Sequence, residues 1–118
     1  AKLDASLAAI AEIVKRSAKF VRMQLYVAGH TDTVGPSARN LALSLARARA
    51  IAAYFRSRGL AMPIAFGGFG EAVLKVSTPD ETDERRNRRA DYVIAPLDAP
   101  PPFKGAYLKA RVAWKRLP

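Results

Sequence analysis

From residue 3 to residue 19, apolar side chains recur at helical spacing. Leu3, Leu7, Ala8, Ile10, Ala11, Ile13, Val14 and Ala18 fall together, while Asp4, Glu12, Lys15 and Arg16 lie largely on the other side. That period predicts a first amphipathic helix. At Val21 the period changes to two: Val21, Met23, Leu25 and Val27 face one way, Arg22, Gln24 and Tyr26 the other. A half-buried strand is the expectation. The Gly, Asp, Thr and Pro content of residues 29–37 marks a loop. A second helix is expected from about Pro36 or Ser37 to Ser57, with Gly59 as its stop and Leu41, Leu45, Ala48, Ala52 and Phe55 on its buried face.

A further strand is read where Met62, Ile64 and Phe66 alternate with Pro63, Ala65 and Gly67, closed by Gly67 to Glu71. Residues 72–81 read as irregular and Glu81 to Arg86 as a single helical turn. The run from Arg88 to Ala95 sets Ala90, Tyr92 and Ile94 against Arg89, Asp91 and Val93. Helix, strand, helix, strand, strand predicts an α+β fold, a two-layer sandwich with helices packed on one face of a small mixed β-sheet. Residues 1–96 form the domain in this reading. Residues 97–118 are a Pro-rich linker and basic C-terminal extension, in which Leu108, Ala110, Val112 and Trp114 alternate with Tyr107, Lys109, Arg111 and Ala113. That alternation suits an added strand over 107–114 that pairs with the sheet; the other reading is a flexible basic tail.

At 118 residues, half of them hydrophobic and a quarter charged, the chain fits one soluble globular domain with a single core. No run approaches the roughly 18 consecutive apolar residues of a membrane span, and no signal peptide is read at the N-terminus. With no cysteine, disulfides and thiolate metal sites are excluded. The formal net charge of +10 implies a surface that attracts polyanions: nucleic acid, anionic lipid or a carboxylate-rich cell wall.

Candidate chemistry concentrates in residues 29–48. On a helical wheel Asn40, Leu43, Ser44 and Arg47 stand at i, i+3, i+4 and i+7, a single stripe. Asp32 lies in the loop that feeds this helix, so its carboxylate can approach the stripe. An acid and a base held close together suit a ligand with both an ammonium and a carboxylate: Asp32 accepts from the first, and the planar fork of Arg47 grips the second. Thr31 and Asn40 add neutral donors and acceptors. On the last strand Arg88 shares the parity of Tyr92 and Ile94 and should point toward the helices. The plainer alternative is an Asp32–Arg47 salt bridge clamping loop to helix. His30, the only histidine, reads as a loop-orienting hydrogen-bond partner, with no second ligand for a metal. Gly29, Gly35 and Gly70 read as backbone geometry.

The order Gly29-His30-Thr31-Asp32, then Gly35, Asn40, Leu43-Ser44 and Arg47-Ala48, resembles the signature of the OmpA-like peptidoglycan-binding domain (the OmpA C-terminal or Pal-type family). Asn87-Arg88-Arg89-Ala90-Asp91 is similar to the same family's closing Asn-Arg-Arg-Val-Glu strand, and the resemblance covers roughly residues 3–95. It implies non-catalytic binding of peptidoglycan through the side-chain end of meso-diaminopimelate in the stem peptide, anchoring an envelope protein to the cell wall. The positions it assigns to the ligand are Thr31, Asp32, Asn40, Arg47 and Arg88, with Gly29, His30, Gly35, Ser44 and Asn87 in support. It implies no cofactor and no metal. The implied setting is the periplasm of a Gram-negative bacterium, at the outer membrane or cell wall, with membrane association only through a parent protein or a missing segment. The chain departs from the pattern at Leu74, where the family often has Pro, and at Ala90-Asp91. The usual first strand is not evident at the N-terminus.

Two rival classes follow from the residues alone. An enzyme would need a base matched to a nucleophile or a metal-activated water, and the chain offers one His, no Cys and no compact His/Glu cluster. A basic nucleic-acid-binding or protein-interaction domain suits the charge. Yet Asp80, Glu81, Asp83 and Glu84 precede the run Arg85-Arg86-Asn87-Arg88-Arg89 and partly neutralise it, and no nucleic-acid partner is expected.

Overall fold

The structure, a computed structural model, describes residues 2–17 and 22–118. The elements are α1 (Lys2–Ser17), β1 (Met23–Gly29), α2 (Ser37–Ser57), β2 (Ile64–Gly68), a 3-10 turn (Arg85–Asn87), β3 (Ala90–Pro96), α3 (Ala106–Lys109) and β4 (Lys115–Arg116). Ala18, the end of the expected first helix and Val21 of the expected strand lie outside the described residues. The fold is α+β around a mixed sheet of strand order β3-β1-β2-β4. β1 is parallel to β2, with Leu25 opposite Ile64 and Val27 opposite Phe66. Two parallel neighbours need a crossover, which α2 supplies. β3 runs antiparallel on the other side of β1, placing Ile94 opposite Leu25 and Tyr92 opposite Val27.

Leu25, Val27, Ile64 and Phe66 share one sheet face and pack with Ile10 of α1 and Ala48, Ala52 and Phe55 of α2. On α1 the stripe that meets this core is Leu3, Leu7, Ile10 and Val14. Ile13, expected to share it, is half exposed. On α2 the expected buried face needs correcting. Leu41 is 49% exposed, and the buried residues are Asn40, Ser44, Ala48, Ala52 and Phe55. The reason is close approach to the strand ends. A Cβ on Gly29 would sit 2.3 Å from the Ser44 carbonyl oxygen, and one on Gly68 would sit 2.4 Å from the Leu45 nitrogen. Only small or polar side chains fit beneath a helix seated that tightly.

The opposite sheet face is also covered, so β1 is buried on both sides rather than half-buried. Tyr26, Ala65 and Ala95 meet Phe103 and Trp114, while Ala28, Phe69 and Val73 meet Tyr107, Ala110, Val112 and Trp114. Phe103 stacks on Trp114 at 4.7 Å, and the Tyr26 ring meets Trp114 edge-on at 5.0 Å. Residues 97–118 thus lie against the sheet. Gln24 and Leu97 start the docking: the Leu97 amide donates to the Arg22 carbonyl at 2.8 Å and the Gln24 side chain donates to the Leu97 carbonyl at 3.1 Å.

The strand expected over 107–114 does not form. Residues 106–109 are helical, because Tyr107 and Trp114 must both turn down onto the sheet, which an alternating strand beside it would not allow. The strand that does form lies further on, where Lys115 and Arg116 pair antiparallel with Phe66 and Ala65. Two smaller boundaries also move. The turn expected over 81–86 is the 3-10 turn at Arg85–Asn87, and the last strand begins at Ala90, leaving Arg88 outside the ladder. Truncating Trp114 removes the keystone of the second face. We expect Trp114→Ala to lower unfolding free energy by about 2–4 kcal/mol, somewhat under the full cost of a completely buried aromatic, measured by urea denaturation.

Candidate functional site

β1 ends at Gly29, and residues 30–33 stay buried although they are His, Thr, Asp and Thr. Their polarity is satisfied by neighbouring loops. The His30 amide donates to the Arg89 carbonyl and the Thr31 amide to the Gly70 carbonyl, each at 2.8 Å. The Thr33 hydroxyl donates to the Pro79 carbonyl and accepts from the Thr82 amide, both at 2.9 Å. Gly35 turns the chain into α2 at φ +85°, a left-handed value that favours glycine. Pro36 stands at the helix entrance without a side-chain cap.

Asn40 and Ser44, in the first half of α2, do structural duty as well as facing the loop. The Asn40 side-chain amide donates to the Val34 carbonyl at 2.9 Å, holding the loop's exit. The Ser44 hydroxyl donates to the Leu41 carbonyl and accepts from the Gly70 amide, both at 2.8 Å. Asn87 is fully buried and clamps the 72–81 loop, accepting from the Val76 amide and donating to the Val76 carbonyl, each at 2.9 Å. The Thr31 hydroxyl donates to the Asp32 carbonyl at 2.9 Å.

Asp32 is 6% exposed and its carboxylate is held from three directions. One oxygen accepts from the Val34 amide at 3.1 Å; the other accepts from the Glu84 amide at 3.3 Å and from Arg88 Nη1 at 2.5 Å. Burial pushes its pKa up, but the Arg88 bond and the two amides together outweigh that, so it ends below its ordinary value. Arg88 also pairs with Asp83, and the two carboxylates raise its own pKa, Asp83 more than Asp32. Arg47 differs. It is exposed and makes no hydrogen bond or ion pair among the described residues. The Asp32–Arg47 salt bridge entertained from sequence is not formed; Arg88 occupies that role, freed to reach inward because it precedes the β3 ladder.

Thr31, Asp32, Asn40, Arg47 and Arg88 line one cleft of about 410 Å³, together with Arg39, Leu43 and Asp83. Arg39 and Asp83 were not singled out in the sequence. Arg39 stands at i−8 from Arg47 with Leu43 between them, a helical register that could have drawn notice; Asp83 had no such signal. Of the supporting residues, Gly29 and Ser44 set the helix-to-strand contact, Gly35 the turn and Asn87 the loop clamp. His30 corrects expectation. Its ring does not orient the loop but turns to the C-terminal segment, with Nε2 at 2.9 Å from the Tyr107 hydroxyl and 3.3 Å from Asp91, stacked on Phe69. Tyr107 also donates to Asp91, and Arg89 pairs with it at 3.2 Å. The His30 bond, foremost, and the Tyr107 bond hold Asp91 well below the usual carboxylate range despite burial, while burial and Asp91 push Tyr107 up.

Among the described residues no group of His, Asp and Glu is arranged to hold a metal, and no helix is long and apolar enough to cross a membrane. Comparison with known proteins agrees with this architecture. The OmpA family matches residues 1–89, and the chain belongs to that family. Among solved structures it is similar to the OmpA-like domain of FopA1 from Francisella tularensis subsp. tularensis SCHU S4, with a TM-score of 0.57 and 27% identity over 78% of this chain and 60% of that one. This chain therefore spans less than two thirds of that relative's length. No curated protein matches. OmpA-like domains generally bind peptidoglycan, are typically non-catalytic and are typically associated with the cell envelope.

Asp32 and Asp91 ionise at lower pH folded than unfolded, so the stability they contribute is complete above their ordinary value of 3.8 and is lost as pH falls below it. Urea midpoints should therefore hold from about pH 7 to about 5 and drop below about 4. In Asp91→Asn the neutral-pH midpoint should be lower and the acid drop shallower.

Proposed function

We propose that this domain binds the side-chain end of meso-diaminopimelate in the peptidoglycan stem peptide and so tethers a larger envelope protein to the cell wall in the periplasm. The observation that carries this reading is the unequal state of the two opposite charges in the shared cleft. Asp32 is fixed in place by Val34, Glu84 and Arg88, and only the Val34 amide bonds its Oδ1, which keeps a lone pair for a ligand ammonium. Arg47, on the same cleft and unpaired among the described residues, is ready for a ligand carboxylate. A zwitterionic amino-acid terminus satisfies both at once. Thr31 and Asn40 border the same space and supply neutral contacts. Membrane association would come through the parent protein or another segment.

The cleft binds rather than reacts in this reading, since Asp32 is committed to three donors and is held in its ionised form. Modest affinity per site suffices for a polymer that repeats the ligand many times, where avidity adds to each contact. The rival reading, a nucleic-acid-binding domain, draws on the net charge of +10.

Arg47→Ala is the cleanest test, because removing an exposed, unpaired side chain leaves the fold intact. Calorimetric titration with meso-diaminopimelate and co-sedimentation with purified sacculi should both show binding weakened roughly 10- to 100-fold. Asp32→Asn should weaken binding as much and also lower the melting temperature, since Arg88 and two amides lose a charged acceptor. Wild-type binding to DNA but not to sacculi, falling steeply with added salt, would overturn this reading in favour of the rival.

A further inference from the structure

A second cleft of about 340 Å³ opens between the start of α1, the middle of α2 and the helix-facing side of the start of β3. It shares Arg47 and Arg88 with the first cleft, so those two side chains form a common wall. Its remaining charged lining is Lys2 and Arg89, and among the described residues no Asp or Glu borders it. Arg88 and Arg89 are already engaged, by Asp32 and Asp83 and by Asp91 respectively. Lys2 and Arg47 make no ion pair among the described residues. Leu3, Ile51 and Tyr92 add apolar lining.

Two cations without an ion-pair partner that line one hollow repel each other, and an anion placed there relieves that repulsion while gaining both attractions. The apolar part of the lining disfavours a bare, strongly hydrated ion but suits the hydrocarbon part of an amino-acid residue. We propose that this cleft is a second subsite, which takes another free carboxylate of the same stem peptide whose zwitterionic end sits beside Asp32. The inference rests on the reading of the first cleft given above. It adds a preference: stem peptides with free carboxyl groups outside the zwitterionic end bind better than those in which these groups are amidated. Arg47, common to both clefts, serves the ligand's two ends, whereas Lys2 belongs to the second alone.

The test is calorimetric titration at low salt with two probes: the tripeptide L-Ala-γ-D-Glu-meso-diaminopimelate, and the same tripeptide with every carboxyl outside the zwitterionic end converted to an amide. Wild type should bind the free form roughly three- to tenfold more tightly. Lys2→Met should abolish that difference while leaving affinity for the amidated form unchanged, and Lys15→Met, at the far end of the same helix, should keep it. Equal binding of the two probes by wild type, or discrimination that survives Lys2→Met, would overturn the second subsite and leave the first untouched. Loss of discrimination in Lys15→Met as well would overturn it too, by tracing the preference to overall charge. Failure of wild type to bind either probe would overturn the first-cleft reading and this one with it.

Discussion

The carboxylate of Asp32 lies where three stretches of chain converge: the loop leaving β1, the segment entering the 3-10 turn, and Arg88, the residue that follows that turn. Its bonds to the Val34 and Glu84 amides and to Arg88 tie those stretches together in a nearly dry place. Removing a charge from water is costly unless the surroundings replace its hydration. Here they do, which is why the group stays ionised. Under the proposed function, the same arrangement would also fix the position from which a ligand is met, so that one constraint would serve both folding and recognition.

That arrangement depends in turn on how closely α2 lies on the strand ends. Glycines at 29, 68 and 70 let the helix backbone come down to them, and the first half of α2 can then bury only Asn40 and Ser44. Both are hydrogen-bonded to loop backbone, so the tight seating costs no orphaned polar group at either residue. Arg47, one turn further along, emerges from this packed zone into the open, with no ion-pair partner among the described residues. Order on one side of the cleft and freedom on the other are produced by a single helix.

Much of this was legible in the residues. Periodicity located both long helices and the three principal strands within a few positions, and the Gly-His-Thr-Asp to Arg47 stretch with Asn87-Arg88 named side chains that do meet in space. What was not legible depends on long-range contact. Leu41 looked buried because a helical wheel counts apolar residues and cannot register that two glycine-ended strands press on the neighbouring stripe. Tyr26 looked solvent-facing because nothing near it in the chain announces that Phe103 and Trp114 return to cover it. The alternation over 107–114 was real but marked aromatic anchors on a short helix and turn, not a ladder. His30 was read as serving its own loop, when its partner lies in that returning segment.

The two-residue pairing of β4 with β2 has a bearing on crowding. A bare sheet edge invites a second copy to extend it. Along Ala65 and Phe66 that edge is instead occupied by Lys115 and Arg116, both exposed. A neighbouring molecule approaching from this direction meets two positive charges on a molecule already strongly positive, which disfavours extension of the sheet through β2.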